Sequence, residues 1–168
     1  MIKTTWRSAL SGAAILLWTA SSGMAQEATQ EVENEGPVWL ATCNNQADPE
    51  TLMCSMTQRL TVASSGQQLL AVTVQPGGEA PSILLSLPHG LSFSSGVGFA
   101  TDSGTEERFE FTTADATGTY ARVPLTADRL STLRAANTLR INVVGVAGRD
   151  VNFEVSLAGF SKTYDLLK

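Results

Sequence analysis

Histidine and cysteine are scarce in this chain of 168 residues, which has one histidine, His89, and two cysteines, Cys43 and Cys54. A zinc site on the two cysteines would need two further soft ligands, and His89 is the only histidine. No metal site and no cofactor are therefore predicted. A Ser-His-Asp triad would also have to use His89, which stands in a Pro-x-Gly turn and is better interpreted as a solvent-facing residue.

Sequence motifs of catalysis are missing as well. The chain has no Walker loop, no G-x-G-x-x-G, no H-E-x-x-H and no G-x-S-x-G nucleophile elbow. Glu106 and Glu107 form a carboxylate pair, but adjacent residues on a strand point to opposite faces, which favours a solvated strand entry. We therefore predict no catalytic residue and no enzymatic activity.

Positive charge is in deficit, with 11 Lys and Arg against 16 Asp and Glu and a net charge of −5. Nucleic-acid binding needs clustered cations, so a nucleic-acid partner is excluded. Five arginines nevertheless lie in the last third of the chain, and we interpret them as local charge partners rather than as a phosphate groove. They are Arg122, Arg129, Arg134, Arg140 and Arg149.

Long apolar runs are absent apart from Ala9–Ala20, which follows Lys3 and Arg7. A spanning helix needs roughly 20 apolar residues, so this run indicates a signal peptide over residues 1–25, cleaved after Ala25, rather than an anchor. A buried N-terminal helix is the alternative. Periplasmic, secreted or outer-surface localisation follows, with no transmembrane segment in the mature chain. Loss of Lys3 and Arg7 takes the net charge from −5 to −7.

The mature chain is predicted to begin with an acidic, disordered lead-in over residues 26–36, which contains four glutamates and almost no apolar side chains. An acidic ligand-binding arm is the alternative for this stretch. Residues 37–168 are predicted to form one domain, since domains commonly have about 100–200 residues.

Cys43 and Cys54 have only one possible intramolecular pairing, and an even cysteine count in an exported chain predicts a disulfide. The closed loop would stabilise the fold by roughly 3 kcal/mol through chain entropy. The spacing is not the C-x-x-C of redox pairs, so a structural role is favoured over a redox or metal role.

Apolar residues alternate with polar ones at period two in many short segments, which is typical of strands with one buried face. Turn residues separate these segments about every 8–12 residues, a pattern that predicts an all-β sandwich or barrel. The clearest runs are Val151, Phe153, Val155, Leu157; Leu139, Ile141, Val143; Leu70, Val72, Val74; and Ile83, Leu85, Leu87.

One short helix is predicted at about 126–136, with Thr126 as its N-cap, Asp128 in its first turn and Arg134 in its last. A C-terminal helical turn is predicted from Ser161 to Leu166.

Several ordered features together resemble the invasion-associated locus B family of exported bacterial proteins. They are Trp39-x-x-x-Cys43, Cys54, Leu87-Pro88-His89-Gly90, Gly118 before Tyr120–Leu125, and Val155–Phe160. The resemblance implies an immunoglobulin-like antiparallel β-sandwich without established catalytic residues or cofactor, and a link to host-cell invasion. It also assigns structural roles to Trp39, Pro88, Gly90, Gly118, Gly159 and Phe160.

This chain departs from the family at a second cysteine pair, Cys-x-x-x-Gly-Cys, whose positions read Ala114 to Thr119 here. Both cysteines are replaced together, as expected if they normally bond to each other across a hairpin.

Two functional hypotheses follow. The first is a non-enzymatic exported protein, monomeric or weakly homo-oligomeric, that binds another protein or an envelope component and exposes an apolar patch for it. The alternative is a small sandwich-fold hydrolase or carbohydrate-binding module, which would need a concave polar pocket or exposed aromatic rings.

Overall fold

The computed structural model describes residues 32–34, 38–44, 52–76 and 81–167. The predicted signal peptide, most of the predicted lead-in and the segment 45–51 lie outside these residues. The strands are β1 Val32–Asn34, β2 Leu40–Asn44, β3 Met53–Val62, β4 Gln68–Gln75, β5 Ser82–Leu87, β6 Val97–Thr101, β7 Glu107–Phe109, β8 Phe111–Asp115, β9 Gly118–Pro124, β10 Thr138–Val144 and β11 Asp150–Ser156. The helices are α1 Ala127–Ala135 and α2 Phe160–Asp165, and a 3₁₀ turn spans Phe93–Ser95.

The strands form two antiparallel sheets. In the first, the order is β3-β4-β5-β9-β8, and both β2 and β1 pair with the outer edge of β3, β2 along its first half and β1 along its end. In the second, the order is β11-β10-β6-β7. The chain crosses from the second sheet to the first at Glu110, between β7 and β8.

A single apolar core lies between the sheets and is built by the alternating residues of the strands. In β10, for example, Leu139, Ile141 and Val143 are at most 1% exposed, whereas Arg140 between them is exposed. The predicted all-β class and sandwich architecture are confirmed, because the period-two residues supply both inner faces.

Both helices occur where the sequence predicts them. The Thr126 hydroxyl accepts a hydrogen bond from the backbone N–H of Arg129 at 3.2 Å, which caps α1, and Leu133 packs its buried side chain into the core. The α2 helix starts after Gly159, whose φ of +79° is a left-handed conformation that glycine adopts readily.

Trp39 joins the start of β2 to α2. Its ring packs edge-on against Phe160 with centroids 5.2 Å apart, and its indole N–H donates to the Ser156 carbonyl at 3.1 Å. Tyr164 stacks on the other side of Phe160 at 6.0 Å. These contacts fix one end of the sandwich and bring β2 to its surface.

The strand β1 differs from the disorder predicted for residues 26–36. Its three residues pair with Leu60, Thr61 and Val62 at the end of β3. The pairing uses backbone groups of β3 that β2 leaves free, so side-chain composition gives no sign of it. The other residues of the predicted lead-in lie outside the described part of the chain.

Candidate functional site

Four large apolar side chains are exposed around β2 and the start of β3. Val38, Leu40, Leu52 and Met53 are 64%, 57%, 66% and 43% exposed, and every residue of β2 is exposed. Residues 38–44 and 52–58 contain no charged side chain. We call residues 38–44 with 52–53 the β2–β3 apolar edge. An exposed apolar cluster of this kind commonly marks an interaction surface.

A disulfide fastens this edge to the sandwich. Cys43 and Cys54 are bonded as the sequence predicts, stand directly opposite each other in the ladder, and have Cα atoms 4.0 Å apart. The neighbouring pair is Thr42 opposite Ser55. Because β2 buries none of its own residues, this bond and the preceding Trp39 are its main attachments beyond the ladder to β3.

A cavity of about 420 Å³ lies between α1 and the β6–β7 segment. The Arg129 guanidinium lies in the wall of this cavity. It lies over the ring of Phe109 at 5.1 Å and near that of Phe99 at 5.9 Å, and it forms an ion pair with Glu107 at 2.7 Å. It also donates to the Pro124 carbonyl. These partners belong to β6 and β7 of the second sheet and to the end of β9 in the first. Arg129 therefore connects α1 to both sheets.

Two buried polar atoms in the lining of this cavity have no hydrogen-bond partner, Arg129 Nε and Thr101 Oγ1. No histidine or cysteine lines the cavity. The lining does contain threonine hydroxyls and the carboxylates of Asp128 and Glu107, and the Glu107 carboxylate is paired with Arg129.

His89 is exposed, as the sequence interpretation expects, and borders a groove of about 440 Å³. The groove is lined by amide, hydroxyl and apolar side chains without a carboxylate, namely Gln67, Gln68, Leu87, Pro88 and Thr117 with His89. Among the described residues that line this groove, none is a carboxylate that could orient the imidazole as the acid of a triad does.

Four residues with predicted structural roles lie in turns or at close approaches. Gly90 has a φ of +88° in the turn after Pro88. Gly118 is buried, and a Cβ there would lie 2.5 Å from the Leu87 carbonyl oxygen. The Leu-Pro-His-Gly turn and Gly118 thus meet where β5 and β9 pair. Gly159, as described, starts α2.

The positions of the absent second cysteine pair are direct neighbours. Ala114 stands opposite Thr119 in the β8–β9 ladder, one pair away from the turn. In that turn Asp115 accepts hydrogen bonds from the Thr117 hydroxyl at 2.6 Å and the Thr117 N–H at 2.7 Å, and these lower the pKa of Asp115.

The arginines of the last third are spread over several local partners. Arg129 pairs with Glu107 and Arg134 with Asp165 at 2.6 Å, an interaction that raises the pKa of the Arg134 guanidinium. Arg122 donates to the Ser82 hydroxyl, also at 2.6 Å. Arg129 and Arg134 thus have the carboxylate partners that the sequence predicts, whereas Arg122 bonds to a neutral oxygen. Within the described ranges no group of three or more His, Cys, Asp or Glu could hold a metal ion.

A corner of the sandwich exposes an aromatic ring. Phe93 in the 3₁₀ turn is 52% exposed and packs on Phe111 at 5.1 Å. Both rings line a concavity of about 360 Å³ together with Arg108 and Glu110. Within the described ranges Phe93 is the one aromatic residue that is exposed rather than buried or half-buried.

The model of the Invasion associated locus B (IalB) protein family matches residues 39–168. The chain belongs to the IalB family. The match begins at Trp39, so the β2–β3 apolar edge, the disulfide and α2 all lie essentially within the family domain.

The crystal structure of invasion associated protein B from Bartonella henselae has a similar fold. The TM-score is 0.68 at 20% sequence identity, with 77% of this chain and 89% of that chain covered. At this identity the likeness shows the fold alone. A comparison with curated proteins gives no match. Neither helix of the described IalB domain is long and apolar enough to cross a membrane.

The apolar edge is the feature of this IalB-family chain that the sequence analysis missed. Val38, Leu40, Leu52 and Met53 belong to none of the alternating runs that predict strands, and alternation alone does not reveal whether a strand has a facing sheet. One signal was present: the lack of charge over residues 38–44 and 52–58, in a chain with a net charge of −5.

Proposed function

We propose that this protein is exported after cleavage of residues 1–25 and acts without catalysis, by binding another protein or an envelope component through the β2–β3 apolar edge. The exposure of Val38, Leu40, Leu52 and Met53 carries the proposal, because uncovered apolar area of this kind favours burial against a partner.

Three further observations support it. IalB proteins are exported, and the Cys43–Cys54 disulfide suits an oxidising compartment outside the cytoplasm. No histidine or cysteine lines the cavity beside α1, and no carboxylate lines the groove beside His89. The edge is held rigidly by a disulfide and by Trp39, so little conformational entropy is lost when it binds.

The experiment compares two matched charge insertions in the mature protein. Leu40→Lys places a cation on the apolar edge, and Val146→Lys places one at another exposed valine, 77% exposed, in the β10–β11 turn. Binding of each variant to envelope fractions is measured by saturation and chemical cross-linking. We expect Leu40→Lys to lose at least tenfold in affinity, about 1.4 kcal/mol, and Val146→Lys to bind like wild type. Equal binding by both variants would refute the proposed surface.

A carbohydrate-binding role is the second candidate, favoured by Phe93. An exposed ring at the mouth of a concavity with Arg108 and Glu110 offers both a stacking face and polar groups for hydroxyls. NMR titration of the protein with soluble envelope oligosaccharides tests it. Shifts at Phe93 and Phe111 that disappear in Phe93→Ala would support this role, and unchanged spectra would exclude it for those sugars.

A further inference from the structure

In the described part of the chain, the backbone groups on the outer edge of β2 have no strand partner. Directly opposite residues of an antiparallel pair alternate between hydrogen-bonded pairs, with Cα atoms about 5.5 Å apart, and non-bonded pairs about 4.5 Å apart. The 4.0 Å between the Cα atoms of Cys43 and Cys54 identifies a non-bonded pair. Ala41 and Cys43 therefore direct their N–H and C=O away from β3, and Leu40, Thr42 and Asn44 bond to it.

The order of bonds in the rest of the sheet agrees with this assignment. On β3 the residues that bond to β4 must then be the even-numbered ones. Val62 has this parity and donates to the Gln67 carbonyl at 2.9 Å, beyond the register shift between Leu60 and Thr61. Among the described residues, no strand pairs with the outer edge of β2.

Uncharged sequence sets this edge apart from the other terminal strands. Natural proteins protect an edge strand with charges, prolines or bulges. The strand β7 carries Glu107 and Arg108, β8 ends in Asp115, and β11 carries Asp150 and Glu154. The β2 sequence, Leu-Ala-Thr-Cys-Asn, has no charge and no proline.

We propose that β2 pairs with β2 of a second copy of this chain, antiparallel across a two-fold axis, and so joins the two seven-stranded sheets into one. The inference rests on the proposed function, because it names the partner of the same surface. Self-pairing satisfies the Ala41 and Cys43 groups of both copies at once.

The chemistry of the edge suits a second copy as the occupant, because an uncharged strand can pair with itself without bringing like charges together. The mature chain has a net charge of −7 once residues 1–25 are removed, so two copies repel each other at most approaches. The β2–β3 apolar edge is where they can meet without burying like charges. With the axis near Ala41, the two Leu40 side chains lie diagonally on one face of the joined sheet, within reach of each other.

The mass of the mature protein is measured by sedimentation and light scattering across a concentration series. Wild type and Val146→Lys are expected to show a concentration-dependent dimer. Leu40→Lys brings two cations together and is expected to weaken dimerisation at least tenfold. Ala41→Pro removes an N–H that points away from β3 and leaves the bonds to β3 in place. It is also expected to weaken dimerisation at least tenfold.

Amide hydrogen exchange by NMR supplies an independent readout of the register. In the dimer the Ala41 and Cys43 amides are expected to become protected as concentration rises, while Leu40 and Thr42 are protected throughout. Should Ala41→Pro fail to fold, the dimerisation of Leu40→Lys and the exchange pattern of the wild type still test whether β2 pairs with β2.

A wild type that stays monomeric at its highest soluble concentration would overturn the inference. So would a dimer that Leu40→Lys leaves intact. A monomer whose envelope binding is still lost in Leu40→Lys would overturn self-pairing but retain the proposed function. A dimer whose envelope binding is insensitive to Leu40→Lys would overturn the proposed function and retain self-pairing.

Discussion

At the scale of single residues, Phe160 is the anchor of the sandwich end. It is 1% exposed and packs between Trp39 and Tyr164, so its ring fills the space where β2, α2 and the core meet. The indole N–H of Trp39 has its own partner in the Ser156 carbonyl, which lets a large polar-tipped ring be buried here without an unsatisfied donor.

Truncation of Phe160 should therefore be costly. Phe160→Ala removes a buried ring and leaves a cavity, and we expect the free energy of unfolding to fall by about 3–5 kcal/mol in chemical denaturation. Phe93→Ala is the matched control, because Phe93 is 52% exposed and should cost far less. Equal losses for the two variants would contradict an anchoring role of Phe160.

Asp115 offers a second residue-scale test, since hydrogen bonds led by the Thr117 hydroxyl lower its pKa. A lowered folded-state pKa means that the carboxylate contributes stability above the ordinary pKa of 3.8, lost as pH falls through the lower folded value. We expect Thr117→Val to move the pKa of Asp115 back toward 3.8 in an NMR titration. Thr112→Val in the same hairpin should leave it unchanged, because Thr112 bonds to the Tyr120 carbonyl.

At the scale of elements, the β8–β9 hairpin keeps the register of a cross-strand disulfide without the cysteines. Ala114 stands opposite Thr119, and the loop they would close has six residues counting both ends. A loop that short contributes only about 2 kcal/mol in the chain-entropy model. The fold can therefore be retained without this bond.

Restoring the pair tests that register. Ala114→Cys with Thr119→Cys should oxidise on export and raise the melting temperature by several degrees, because the two residues stand directly opposite each other in their ladder, as the bonded Cys43 and Cys54 do in theirs. The single variants Ala114→Cys and Thr119→Cys serve as controls and should show no such rise. A double variant that stays reduced would mean that the two side chains diverge.

Elements whose order depends on a buried face could be predicted from the sequence. The strand with Phe153 and Val155 and the capped helix after Thr126 are predicted by local periodicity and capping chemistry. Val151, the first residue of the same alternating run, is 38% exposed. The strand β1 and the exposure of Leu40 could not be predicted from the sequence. Each depends on which part of a distant strand is left unpaired or uncovered, and that is set by the tertiary arrangement of the sheets rather than by neighbouring residues.

At the scale of the whole molecule, the two sheets differ in width. The first is six strands across, with β1 and β2 sharing one position, and the second has four. A wider sheet cannot be covered by a narrower one, so its outermost strands extend past the core. This mismatch explains why β2 exposes both of its faces although its sequence contains apolar residues, and why the candidate surface lies there.

The last prediction concerns export of the protein and the position at which its signal peptide is cleaved. Signal peptidase needs a small residue before the cut, and Gly23-Met24-Ala25 supplies one ahead of Gln26. We expect the exported protein to begin at Gln26, and Ala25→Phe to block processing and retain the precursor. Ala28→Phe, three residues beyond the cut, should be processed like wild type. Intact mass and N-terminal sequencing of periplasmic protein measure both. Export also brings Cys43 and Cys54 into an oxidising compartment, so thiol titration should find them free in a leaderless cytosolic form and bonded in the exported one. Processing of Ala25→Phe at the wild-type position would mean that the segment is not cut after Ala25.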